Sequence, residues 1–270
     1  MRDAVTRDNL GAMTPVTITT LGSCGAWPEP GRACSGVVVE YDGAAIAVDL
    51  GWGTLPRLLT HLRSPTAAPL AAVVVTHDHP DHTGDLPALM RARWYAGRDL
   101  PAVPLLCPEA VVVRLRESED GAHRSCAHVF DWLGTPDAAT VGGFDLALHR
   151  LPHYVDNVGV RIEAGGATVA VTGDTGPIEA VVELGRDVDV FVVDATDRHQ
   201  RQGVPGPPPG TPAYNLTAAQ AGALAARAGA RRLVLTHFWP GNHRERSRQD
   251  AAAEFGGDVL LADEGLTITV

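Results

Sequence analysis

Residues 77–82 read His-Asp-His-Pro-Asp-His, so three imidazoles and two carboxylates fall within six positions. Imidazole and carboxylate together suit zinc, manganese or iron. In an extended segment His77 and His79 point to the same side, and Pro80 stops a strand from simply continuing. Asp81 and His82 then lie beyond a turn that can aim them at a second point nearby. Three more residues of the same kind follow strand-like runs: His153 after Phe144–Leu151, Asp174 after Thr168–Thr172 and His237 after Arg232–Thr236. These seven side chains would serve two metals about 3.5–4 Å apart if Asp174 bridges. His77, His79 and His153 would hold one ion, and Asp81, His82 and His237 the other.

The elements that must position these residues are legible as strand and helix patterns. Ala71–Thr76 is a run of small and β-branched residues, as in a strand covered on both faces. Val16–Leu21 reads as a strand, and Gly36–Tyr41 with Ala44–Asp49 as a hairpin about Asp42-Gly43. Asp49 can accept a hydrogen bond from a metal-bound histidine or cap the turn that follows; both readings stay open. Helices are expected over 54–63, 86–95, 108–117, 177–184, 217–228 and 246–255, the fifth capped by Thr217. Further strands are expected at 103–106, 158–163, 188–194, 259–261 and 266–270. Residues 118–140 are polar and receive no element, and their His123 and His128 read as surface or packing residues. The Gly/Pro-rich stretch 203–212 reads as a lid or rim loop. No internal sequence repeat is evident.

At 270 residues the chain can bury a substantial core. Residues 1–15 read as a flexible tail and 16–270 as a single domain. The net charge of −10, with no lysine anywhere, disfavours extended nucleic acid and membrane surfaces as partners. No apolar run is long enough to span a bilayer. Cys24, Cys34, Cys107 and Cys126 form no C-x-x-C pair, and a reduced, cytoplasmic setting is expected.

The set THDHPDH, His153, TGDTG and LTHFWP resembles the metal motifs of the metallo-β-lactamase superfamily, over nearly all of residues 16–270. The resemblance implies an α/β fold, a four-layer αββα sandwich of two mixed sheets with the site at the strand ends. HYVDNVGVRIE, VTGDTG, VVDATD and the stretch 215–240 are similar to the ribonuclease Z-like phosphodiesterase branch. Three departures stand out. Only twenty residues separate His153 from Asp174, so the branch's arm for gripping transfer RNA is missing. Its His-Glu-Ala-Thr is here Val193-Asp194-Ala195-Thr196, and the histidine that pairs with that glutamate is replaced by Asn215.

The expected function is that of a dinuclear hydrolase using two divalent ions, zinc or manganese. It would act on a small phosphodiester such as a cyclic nucleotide, through a metal-activated hydroxide. Asp81 would orient the nucleophile as well as ligate, Asp194 or His199 would protonate the departing oxygen, and Arg161 would steady a phosphate or form a salt bridge. Hydrolysis at carbon, of a lactone, ester or thioester, is the alternative. A tRNA 3′-processing endonuclease and a non-catalytic metal-binding scaffold rank behind both. A small-molecule substrate is the expected partner, and the resemblance allows a homodimer.

Overall fold

The computed structural model describes residues 14–96, 99–121, 128–200 and 212–270. Most of the expected tail, His123, Cys126 and nearly all of the 203–212 loop lie outside the described residues. The first half of the chain opens with β1 (Thr17–Gly22), β2 (Gly36–Tyr41) and β3 (Ala44–Val48), then α1 (Thr54–His61) and β4 (Leu70–Val74). It continues through α2 (Pro80–Thr83), α3 (Leu86–Tyr95), β5 (Val103–Leu106), α4 (Glu109–Glu117) and β6 (Phe130–Gly134). The second half runs β7 (Ala138–Val141), β8 (Phe144–Leu151), β9 (Asn157–Ala164), β10 (Ala167–Val171), α5 (Glu179–Leu184) and β11 (Val190–Asp194). It ends with α6 (Ala218–Ala228), β12 (Arg232–Thr236), α7 (Arg244–Phe255), β13 (Asp258–Leu261) and β14 (Thr267–Thr269).

Two seven-stranded sheets result, ordered β14-β1-β2-β3-β4-β5-β6 and β13-β12-β11-β10-β9-β8-β7. Their central strands are apolar on both faces because each face meets a different layer. From β4, Ala72 and Val74 point into the core between the sheets, while Val73 and the following Val75 face the first half's helices. From β11, Val190 and Val192 enter the inter-sheet core, and Phe191 and Val193 face α5 and α6. Three apolar clusters therefore separate four layers, helix–sheet–sheet–helix, and the sandwich expected from the resemblance is the observed architecture.

The element-free reading of 118–140 is corrected by β6 and β7, which form one edge of each sheet. Both are largely exposed, so neither carries the continuous apolar run that marks the inner strands. Helix α6 begins as expected: Thr217 accepts from the Gln220 amide, the Gln220 side chain accepts from the Thr217 amide, and Gly229 closes the helix in the left-handed conformation.

Candidate metal centre

The parallel strands β4, β11 and β12, the antiparallel β8, and β10, which is antiparallel to β9 and parallel to β11, end along one edge of the sandwich, and a chemically active residue follows each end. The turn after β4 carries His77 and His79, and Pro80 then occupies the first position of α2. Asp81 and His82 sit in that first helical turn, which is a helix rather than the plain turn expected from the sequence. The end of the β2–β3 hairpin ties this segment down: Leu50 N–H donates to His82 O at 2.8 Å and Ser35 N–H to Asp81 O at 3.1 Å. The approach requires Gly51, since a Cβ there would fall 2.0 Å from the Asp81 carbonyl oxygen. On the other side His237 takes a left-handed φ of 57° after β12. Its ring lies over Gly25, where a Cβ would come within 2.5 Å of it.

The seven expected residues meet in two adjoining groups. His77, His79, His153 and Asp174 present ligand atoms within 4.8 Å of one another, and so do Asp81, His82 and His237. His79 Nδ1 lies 3.0 Å from His77 Nε2 and 3.1 Å from His153 Nε2. Asp174 stands between the groups. Its Oδ2 is 3.7 Å from His153 Nε2, while its Oδ1 is 3.0 Å from His237 Nε2 and 3.3 Å from His82 Nε2. Asp81 Oδ2 is 3.2 Å from His237 Nε2 and accepts the Ala26 N–H at 2.5 Å.

Four of the five histidines are oriented by a partner behind the ring, which aims Nε2 at the centre. His153 Nδ1 donates to the Tyr214 carbonyl at 3.0 Å. His82 Nδ1 donates to Asp49 Oδ2 at 2.7 Å, deciding between the two readings of Asp49. Two threonines repeat one relay. The Thr76 hydroxyl donates to Asp49 and accepts from His77 Nδ1 at 2.9 Å. The Thr196 hydroxyl donates to Asp194 and accepts from His237 Nδ1 at 2.9 Å. These threonines were not singled out in the sequence; their signal is a Thr at a strand end with an Asp nearby in the chain or on the neighbouring strand.

The two groups differ in charge. Burial holds His77, His79 and His153 below the ordinary histidine range. Burial also opposes charging of His82, yet Asp49, Asp174 and Asp81 together push it up to about 10. His237 is raised as well, with Asp174, Asp194 and Asp81 overcoming its burial. Asp174 is held well below the carboxylate range because His237 and His82 outweigh its desolvation. Buried His82 Nε2 and Asp174 Oδ1 have no hydrogen-bond partner despite lying close together. Unpaired buried nitrogen and oxygen atoms at the focus of a His/Asp set are what a bound cation satisfies. The residues fit divalent metal.

Asp194, expected as a proton donor, is only 1% exposed. Its Oδ1 accepts from the Thr196 amide and hydroxyl, and its Oδ2 from the Leu216 amide and Asn215 Nδ2. A carboxylate that accepts four donors, 3.5 Å from His237 Nδ1, is committed to holding that ring. Asn215 also donates to Asp174 at 3.1 Å, so the residue at the missing histidine's place links Asp174 to Asp194. Arg161 follows the salt-bridge reading: β9 turns Val158, Val160 and Ile162 inward, and Arg161 pairs on the outer face with Glu163 and the Arg186 carbonyl. His128 packs on Trp94 with ring centres 3.7 Å apart. Cys24 is buried beside Arg244 and Glu29, and burial raises its thiol.

The family model described as the beta-lactamase superfamily domain matches residues 44–238, which include every residue of both groups. The chain belongs to the metallo-β-lactamase superfamily. An uncharacterized protein of Mycobacterium tuberculosis is 32% identical over 266 residues, covering 94% of this chain and 93% of that protein. Ribonuclease Z of Mycolicibacterium paratuberculosis is 30% identical over 279 residues, covering 92% and 96%. The crystal structure of the metallo-β-lactamase fold protein YhfI from Bacillus subtilis superposes with a TM-score of 0.81 at 23% identity, covering 95% of this chain and 100% of that one. The chain is thus a ribonuclease Z-like metallo-hydrolase. Among the described residues no helix is long and apolar enough to cross a membrane.

Proposed function

We propose that this protein is a phosphodiesterase that cleaves a small phosphodiester, such as a cyclic nucleotide, using two divalent ions, zinc or manganese. The observation that carries the reading is the meeting of two ligand groups at Asp174, each of whose oxygens faces a different group. Paired cations are suited to in-line displacement at phosphorus, where charge develops on both the attacking and the leaving oxygen. A relative named ribonuclease Z, similar along nearly its whole length, supports phosphorus over carbon as the reaction centre.

When bound, the cations supply Lewis acidity and acidify water toward neutral pH. The chain supplies the rest. Asp49, Thr76, Thr196 and the Tyr214 carbonyl hold Nδ1 of His82, His77, His237 and His153, so these four rings turn Nε2 toward the centre. Asp81, held by the Ala26 amide, is placed to orient the nucleophile as well as to ligate. Asp194 is assigned to holding His237. His199, half-exposed on the wall of the neighbouring cavity, is the proton donor to the departing oxygen that solvent and substrate can reach.

The test is turnover by zinc- and manganese-loaded protein of a cyclic nucleotide, an aryl phosphodiester, a lactone and a thioester. An Asp81→Ala sample of measured metal content runs beside it. Phosphodiester hydrolysis that disappears in the variant is the expected result. Turnover of the lactone or thioester alone would move the chemistry to carbon and overturn the proposal.

A further inference from the structure

Beside the His153 side of the centre lies a cavity of about 230 Å³. Its walls include Tyr154, Arg198, His199, Tyr214, Asn215 and Gln220. Besides Tyr154, two of these residues touch the centre. The Tyr214 carbonyl holds His153 Nδ1, and Asn215 donates to Asp174. A group in the cavity is therefore one residue away from the ligands.

Two features give the cavity its chemistry. Tyr154 and Tyr214 pack edge to face with ring centres 4.5 Å apart, and Tyr154 also contacts His153 at 5.1 Å. Tyr154 is nevertheless 55% exposed, far more than folding of an aromatic ring calls for. Arg198 is the only arginine in the wall. Its guanidinium lies 4.7 Å from the Trp239 ring centre, and its buried Nε has no hydrogen-bond partner. No ion pair joins it to a carboxylate among the described residues, although the chain has a net charge of −10. An aromatic wall beside an arginine without an anionic partner fits a ligand that is both planar and anionic.

Resting on the phosphodiesterase reading, we propose that this cavity is the subsite for a planar aromatic group carried by the phosphodiester, a nucleobase being the natural example. The ring stacks on the open face of Tyr154, and Arg198 offsets the charge of the attached phosphate. The cavity is smaller than the roughly 300–1,000 Å³ of pockets that enclose whole drug-sized ligands. It takes one ring system and leaves the sugar and phosphate at the metal centre.

The experiment compares a 3′,5′-cyclic nucleotide with the same cyclic ribose phosphate bearing hydrogen in place of the base. The reacting group is identical in both. Wild-type metal-loaded protein is expected to favour the nucleotide by roughly 10- to 100-fold in kcat/KM, mostly through KM. Tyr154→Ala is expected to bring that ratio toward one, and Tyr154→Phe to restore it. An equal fall on both substrates would overturn the subsite, because Tyr154 would then act only through His153. Calorimetric binding of adenosine monophosphate against ribose 5-phosphate is a second readout independent of turnover. If neither cyclic phosphate is hydrolysed, the phosphodiesterase reading fails. The subsite then still stands on tighter binding of the nucleotide that Tyr154→Ala abolishes, and falls if both phosphates bind alike.

Discussion

The two sheets share one plan and are furnished differently, the first being completed at its edge by β14 from the end of the chain. Along each sheet, three antiparallel pairings are followed by three parallel ones: β14/β1, β1/β2 and β2/β3, then β3/β4, β4/β5 and β5/β6. The second sheet repeats the order from β7/β8 to β12/β13. The first half places four of the seven candidate metal-facing residues in one segment, held by a single hairpin end. The second half places His153, Asp174 and His237 at three separate strand ends. Both use the same Asp–Thr–His relay, Asp49–Thr76–His77 and Asp194–Thr196–His237. What differs is how many ligands each supporting carboxylate serves.

Asp174 stands between the groups, one oxygen toward each, so its loss should be felt in both. Asp174→Ala is expected to lower turnover by more than the roughly 10–100-fold typical of losing an outer partner, with metal content falling at both positions. Elemental analysis alongside steady-state kinetics checks this. One retained equivalent of metal would mean that the first group stands without it.

A milder pair sharpens the comparison. Asp49 serves two histidines, His82 directly and His77 through Thr76, whereas Asp194 serves one, His237, and reaches Asp174 only through Asn215. Asp49→Asn should therefore cost more metal affinity than Asp194→Asn, each within about 10–100-fold. Competition with a chromophoric chelator measures both. Equal losses, or the reverse order, would break the argument.

The smallest effect is in pH dependence of the metal-free protein. His82 is raised from 6.5 to about 10, so its contribution to stability is fully present below about 6.5 and disappears as pH climbs toward 10. His77, His79 and His153 are lowered, so the unfolded chain takes up protons below 6.5 that the folded chain refuses, and acid destabilises the fold. Denaturant midpoints should fall on both sides of neutrality. In Asp49→Asn the alkaline limb should shrink, because the carboxylate that raises His82 most is gone, while the acid limb persists.

Much of this was legible in the sequence for a physical reason. Inner strands such as Ala71–Thr76 are apolar on both faces, and a cluster of imidazoles at their end contrasts sharply with them. Edge strands β6 and β7 were illegible because half of each faces water and needs no pattern. Metal-facing side chains announce themselves by residue type, but supporting ones do not. Asp194 reads the same whether it donates a proton or holds His237, and only its four hydrogen-bond donors distinguish the two. Tyr214 supports His153 through a backbone carbonyl, which any residue possesses.

His237 lies 156 positions after Asp81, and the two side chains stand 3.2 Å apart. During synthesis the HDHPDH segment is exposed long before β12 exists, since translation adds about 5–20 residues per second. For that interval the nascent chain carries four metal-binding side chains with no closed site around them. An imidazole-seeking ion that binds then meets an incomplete set of donors until the second half arrives. Completion of the candidate centre therefore waits on the late strands, which bring His153, Asp174 and His237 to it.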